Sequence, residues 1–244
     1  NYHTLDKAAL SEIHYDTQNR AGQIDDYRWR SVGAAHTIGG LSEGRLIHVV
    51  ELTGLKPGDS YYFVAGDEEH GYSPEIKFRT LPESDAPIRF VVGGEMGISR
   101  YAVKMMRIAA ERDPLFAVIG GDLAYANGRL SRGMKWDRWF DNWRDTFVSP
   151  DGFMTPMILA IGNHEVHGGY GRPPEKAPFY LGYFRQGARQ GRTYFSKRVG
   201  KRLVLYLLDS GHIASHGGLQ TEWLESEMAE DGEISYRLAI YHVP

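Results

Sequence analysis

The 244-residue chain has no cysteine. Disulfides, thiolate ligands and cysteine nucleophiles are excluded together, which leaves His, Asn, Tyr and the carboxylates as candidate metal-binding groups. No apolar stretch approaches the roughly 20 residues needed to cross a bilayer, and residues 1–10 lack the basic head and apolar run of a signal peptide. A large net charge is also missing: 28 Lys and Arg oppose 31 Asp and Glu, for a formal net charge of −3. No specific nucleic-acid motif accompanies that balance. What is present argues for a folded chain, with 42% hydrophobic residues, 15 Tyr and 5 Trp. Domains commonly run to about 100–150 residues, so the length fits one large or two modest domains.

Charge is uneven along the sequence. Residues 1–82 carry 12 acids and 8 bases, and residues 83–244 carry 19 acids and 20 bases. Between residues 172 and 202, nine bases (Arg172, Lys176, Arg185, Arg189, Arg192, Lys197, Arg198, Lys201, Arg202) face the single acid Glu175. Such a run is either a solvated surface or an attractor of an anionic substrate.

Up to about residue 81 the pattern is one of short strands and turns. Segments 12–16, 45–52, 61–66 and 75–80 mix alternating apolar residues with β-formers. Leu55-Lys56-Pro57-Gly58-Asp59-Ser60-Tyr61 predicts a turn before a strand, with Pro57 presetting φ and Gly58 taking a positive φ. Tyr61 is placed to fold its hydroxyl back onto the turn backbone, the corner of sandwich folds. Through residues 48–61 and 72–82 this region resembles a fibronectin type III domain. The resemblance implies a small all-β sandwich over residues 1–84, whose first one or two strands are expected upstream of Asn1.

After Pro82 and Pro87 the pattern changes. Apolar runs at 88–93, 115–120, 157–161, 203–208 and 237–241 are interspersed with helical spacing at 99–112, 134–147 and 220–228. Strands alternating with helices predict an α/β layered domain over residues 85–244. Near-continuous hydrophobicity predicts strands buried on both faces.

The residues at the end of each run carry the chemistry. The first run leads into Gly93-Gly94-Glu95-Met96-Gly97 and the second into Gly120-Gly121-Asp122-Leu123-Ala124-Tyr125. The third leads into Gly162-Asn163-His164-Glu165, the fourth into Asp209-Ser210-Gly211-His212 and the fifth into His242. Ligands of open α/β sheets bind at the carboxyl ends of the strands. Singly, each residue has an ordinary explanation as a cap, a turn or a hydrogen-bonded core histidine. Together they predict oxygen and imidazole donors converging on one edge, a site for Mn, Fe or Zn.

In that order, Gly121-Asp122-Leu123-Ala124-Tyr125, Gly162-Asn163-His164-Glu165 and Ala239-Ile240-Tyr241-His242 resemble successive motifs of the calcineurin-like metallophosphoesterases, in particular the purple acid phosphatase branch. The resemblance covers most of the chain. It implies two metal ions, Fe with Zn or Mn, with Asp122 bridging them. Glu95, standing where the family has an aspartate, and Tyr125, as a tyrosinate, would serve the first ion; Asn163 and His242 would serve the second. His164 would lie beside the phosphate as the catalytic imidazole, and Glu165 would either orient it or cap a turn. The implied activity is hydrolysis of phosphate esters, monoesters first, by in-line attack of metal-bound hydroxide. The implied substrates are phosphorylated small molecules or polymers, in a secreted or periplasmic setting.

Two features depart from the family pattern. Glu95 is one methylene longer than aspartate, which shifts either the ion or the carboxylate rotamer. The Gly-His-x-His motif that completes the family's cage is expected downstream of this chain; His212 and His216 precede His242 and have the wrong spacing. Both domains are therefore expected to be incomplete, with a downstream segment or a second chain completing the second. His212, near Asp209, is a candidate for the substrate side of the pocket. A reading of a different class is a noncatalytic extracellular protein that binds polyanions through its basic run, its metal site decayed at Glu95.

Overall fold

The computed structural model describes residues 1–5, 9–41, 44–83, 86–186 and 192–244. The expected domain boundary at residues 84 and 85, and Arg189 of the basic run, lie outside the described residues.

The first 80 residues hold β1 (Tyr2–Thr4), β2 (Glu12–Asp16), β3 (Trp29–Val32), β4 (Ala34–Thr37), β5 (Leu46–Val49), β6 (Ser60–Asp67), β7 (Gly71–Tyr72) and β8 (Ile76–Arg79). They make two antiparallel sheets, ordered β1-β5-β4 and β3-β2-β6-β7, with β8 also paired to β6. Ile13, Tyr15 and Tyr61 form a buried cluster against Trp29, Phe63 and Phe78. The turn ahead of β6 closes as its residues dictate. Gly58 takes φ +72°, and the Lys56 N–H donates to the Tyr61 hydroxyl at 2.9 Å.

The remainder holds β9 (Val91–Gly93), α1 (Arg100–Ala110), β10 (Ala117–Ile119), α2 (Gly133–Thr146), β11 (Met157–Leu159), α3 (Pro178–Tyr183), β12 (Phe195–Val199), β13 (Leu203–Leu207), α4 (Leu219–Glu230) and β14 (Tyr236–Ile240). The five expected strands fall in two sheets rather than one. One is parallel and ordered β11-β10-β9; the other is ordered β12-β13-β14, with β14 parallel and β12 antiparallel to β13.

Strand alternation feeds two cores from β10. Ala117 and Ile119 join Met106, Trp136, Trp139 and Phe179 of the helices, while Val118 joins Ala160, Phe195, Leu203, Leu205 and Leu207. α2 buries Trp136, Trp139 and Trp143 at i, i+3 and i+7, one stripe of a helix. α1 starts on Ser99, whose side chain accepts from the Ala102 N–H.

Burial on both faces holds for β10 and β13 but not for β9 and β14, where Val92, Tyr236 and Leu238 are exposed. Each of these two strands has a partner on one edge only among the described residues.

The two halves are tightly docked. Ile38 and Ile47 belong to the same buried cluster as Trp136 and Tyr183. Gly182 lets Ile38 in, because a Cβ there would lie 2.6 Å from Ile38 Cγ1. The buried Arg45 guanidinium pairs with Asp137 and donates to the Tyr183 hydroxyl at 2.6 Å. No helix among the described residues is long and apolar enough to cross a membrane.

Candidate metal centre

The loops that leave β9, β10 and β11 nest against one another, and glycine makes this possible. Gly121, at φ +97°, packs so closely that a Cβ would lie 2.8 Å from Gly162 Cα, and a Cβ on Gly162 would collide with Asp122 Oδ1. Main-chain bonds tie the first two loops, from Met96 N–H to Asp122 O at 2.9 Å and from Gly97 N–H to Leu123 O at 2.8 Å. Six non-glycine residues have positive φ among those described, and four sit here: Glu95 (+53°), Asp122 (+57°), Tyr125 (+58°) and Asn127 (+57°). Each costs on the order of 1–3 kcal/mol, and such strain collects where the surrounding structure holds a functional geometry.

That geometry converges on His242. Its Nδ1 lies 2.9 Å from the Gly120 carbonyl oxygen. A carbonyl only accepts, so Nδ1 carries the proton and Nε2 of the neutral ring is a lone pair. Nε2 lies 2.9 Å from Asn163 Oδ1, 3.4 Å from Asp122 Oδ1 and 3.7 Å from Glu95 Oε1. The ligand atoms of Glu95, Asp122 and His242 all fall within 4.8 Å of one another. Acceptors gathered this closely repel unless positive charge lies among them, and no Lys or Arg pairs with Asp122 or Glu95 among the described residues. The donor set, oxygens with one imidazole, suits a divalent or trivalent cation, and an Nδ1–H held by a backbone carbonyl is the usual support of a ligating histidine. The residues present fit a metal.

The other expected residues lie around this point. The Tyr125 hydroxyl donates to Glu95 Oε2. Burial, reinforced by that carboxylate, holds the phenol above its ordinary range, so a phenolate forms here only when a cation replaces the proton. The His164 N–H donates to Asp122 Oδ1 at 2.9 Å, its Nε2 lies 3.7 Å from Asp122 Oδ2, and its ring stacks on Tyr125 with centroids 4.2 Å apart. Glu165 serves the turn: it accepts the backbone N–H groups of Asp122, Leu123 and Gly162. His212 is fully buried beside His242, with ring centroids 5.6 Å apart; its Nδ1 lies 3.1 Å from Gly169 O and its Nε2 has no partner. Burial lowers its pKa and favours the neutral ring. His216 is exposed. Asn127 and Ser210 carry no signal in the sequence pattern. Ser210 Oγ accepts the N–H groups of His242 and Val243, both at 3.1 Å, and so places the histidine.

Residues 1–80 match the family model described as purple acid phosphatase, N-terminal domain. Purple acid phosphatase 23 of Arabidopsis thaliana is 27% identical over 218 residues, spanning 76% of this chain and 45% of its own length. The chain is similar to the purple acid phosphatases, and its first 80 residues match that family's N-terminal domain. Another relative, probable purple acid phosphatase 20 of the same plant, is 27% identical over 252 residues, spanning 96% of this chain and 48% of its own length. An uncharacterized protein of Mycobacterium tuberculosis is 30% identical over 237 residues, spanning 82% of the chain and 43% of that protein. A solved structure of PhoD shares the fold, with a TM-score of 0.64 at 16% identity, over 96% of this chain and 55% of its own. The chain thus spans less than half the length of these three sequence relatives.

The basic run of this purple acid phosphatase-like chain does not act as one free patch. Arg198 pairs with Asp231, and Arg192 lies over the rings of Tyr194 and Trp223 at 5.3 and 5.7 Å. Arg172 instead belongs to the loop tied to His212, its N–H donating to His212 O at 2.9 Å. The noncatalytic polyanion-binding reading is not favoured.

Proposed function

We propose that this chain carries most of a binuclear centre that hydrolyses phosphate esters, monoesters first. The observation behind the proposal is the bare Nε2 of His242 ringed by oxygens of Asn163, Asp122 and Glu95 at 2.9–3.7 Å. Asp122 would help to hold both ions; its Oδ1 faces His242 and its Oδ2 faces His164. Glu95 and Tyr125 would hold one ion, and Asn163 and His242 the other. When bound, the two cations, iron with zinc or manganese, supply Lewis acidity toward phosphoryl oxygens and an activated water as nucleophile for in-line attack. His164 lies beside the phosphate and donates a proton or a hydrogen bond to the leaving oxygen. His212 sits on the substrate side as a buried, neutral ring, and the loop carrying Arg172 supplies positive charge that favours an anion.

We assign residues 1–84 to a fibronectin type III-like sandwich and residues 85–244 to a layered phosphoesterase domain. The packing of β10 between a helical core and the β12-β13-β14 sheet supports the latter. The setting is secreted or periplasmic.

The test joins turnover to metal content. With Mn, Fe or Zn supplied, a chromogenic phosphomonoester is expected to be cleaved faster than the diester. Asp122→Asn is expected to lose both turnover and retained metal. No turnover together with no retained metal in the parent chain would refute the proposal. A visible charge-transfer band lost on Tyr125→Phe would identify ferric tyrosinate.

A further inference from the structure

Asn127 lies two residues after Tyr125, in the left-handed region, and its amide lies 2.6 Å from His164 Nδ1. The end of the amide that faces the ring decides which ring nitrogen carries the proton. On its other side the amide lies 3.1 Å from Arg132 Nη1. A guanidinium only donates, so the amide oxygen faces Arg132 and the NH2 group faces His164. In this orientation Nδ2 also reaches the Tyr125 carbonyl oxygen at 3.3 Å, so all three contacts are satisfied. An NH2 group opposite Nδ1 makes Nδ1 the acceptor, and the proton of the neutral ring then resides on Nε2, the nitrogen 3.7 Å from Asp122 Oδ2.

We propose that Arg132 and Asn127 act as a relay that locks His164 as its Nε2–H tautomer, which makes Asn127 a positioning residue for that imidazole. The chemical consequence is specific. A carboxylate at this position would accept only, would draw the proton to Nδ1, and would leave Nε2 able to donate only when the ring is cationic. With the amide at Nδ1, the neutral ring presents its Nε2–H as a donor toward the centre without requiring a positive charge. The stacked Tyr125 ring holds the imidazole plane, so tautomer and orientation are set by separate neighbours. The effect on turnover rests on the phosphoesterase proposal; the tautomer does not.

The test reads the ring nitrogens directly. The whole chain, labelled with 15N-histidine and free of metal, is examined by long-range 1H–15N correlation at a pH where the ring is neutral, with His164 assigned through His164→Gln. An unprotonated Nδ1 and a protonated Nε2 are expected; a protonated Nδ1 would overturn the relay. Asn127→Asp is expected to reverse the pattern. Arg132→Met leaves the amide in place but free to rotate, and is expected to give mixed tautomers. A pattern unchanged in both variants would also overturn the proposal. With a chromogenic phosphomonoester and Mn, Asn127→Asp is expected to lower kcat on the order of 10-fold at unchanged KM, the scale of losing a supporting hydrogen bond at such a centre. An intact Nε2–H pattern in a chain that shows no turnover and keeps no metal would count against the phosphoesterase proposal alone.

Discussion

A single buried carboxylate, Glu165, builds much of the centre without joining it. It is 1% exposed and accepts N–H groups from Asp122, Leu123 and Gly162 at 2.8, 2.9 and 3.0 Å. Burial pushes its carboxyl up to about 7, against the pull of those three donors. The bonds join the loop after β10 to the loop after β11, and so fix Asp122 relative to Asn163. Glu165→Gln replaces one acceptor oxygen by an NH2 group that faces backbone N–H. The expected outcome is a loss of Mn or Zn affinity of about 10–100-fold, the range for groups that support metal ligands. Titration calorimetry would measure it, with an unchanged far-ultraviolet circular dichroism spectrum showing that the fold persists. Affinity equal to the parent chain would refute the supporting role. Glu95, Asp122, Asn163, His164 and His242 were legible because each comes after an apolar run in a short motif. For Glu165 the sequence offered two roles, orienting His164 or capping a turn, and the choice of the second depends on loops some 40 residues apart meeting. Asn127 was hidden for the same reason: its meaning comes from Arg132 and His164, which no local spacing connects.

At the scale of elements, legibility tracked periodicity. α1 and α2, and strands β2, β6, β10, β13 and β14, carry enough apolar repeat to be placed within a few residues. β12 was missed because Lys197 and Arg198 are both exposed and break the alternation. α3 was missed because six residues hold under two turns of a 3.6-residue repeat. The division of five strands between two sheets depends on long-range pairing and had no local sign. The corner ahead of β6 was legible, because Pro57, Gly58 and Tyr61 each have a conformational reason for their position. Tyr61→Phe tests it. The ring keeps its stack on Phe78, with centroids 5.7 Å apart, while the Lys56 N–H loses its acceptor. A loss of about 1 kcal/mol is expected, the usual net value of one such bond, read as a lowered urea midpoint at constant slope. An unmoved midpoint would mean that solvent replaces the hydroxyl at no cost.

Across the whole molecule, the two halves meet through apolar packing at one end and charge at the other. Ile38 and Ile47 share a core with Trp136, so a single cooperative unfolding transition is expected rather than two. At the far end Arg79 of β8 donates to both carboxylate oxygens of Asp113, one at 3.0 Å, and stacks its guanidinium over Phe153 at 4.5 Å. The hydrogen bonds from Arg79 hold the Asp113 carboxyl below its ordinary range. A carboxyl with a depressed folded-state pKa adds stability that is complete above its unfolded value, near 4, and is lost as pH falls through the folded value. Side-chain exposures of 24% and 34% for the pair keep the contribution under about 1 kcal/mol. Asp113 also has φ +49°, a conformation that asparagine tolerates, so Asp113→Asn removes the charge while sparing the backbone. The variant is expected to melt below the parent chain at pH 7 and to converge with it as pH falls from about 4 through the lower folded-state value, where the parent carboxyl also becomes neutral. The Glu12–Arg30 pair, whose carboxyl is likewise held low by its arginine, is present in both proteins and cancels from the comparison. A melting difference that stays constant down to pH 3 would assign the docking to packing and hydrogen-bond geometry rather than to the Asp113 charge.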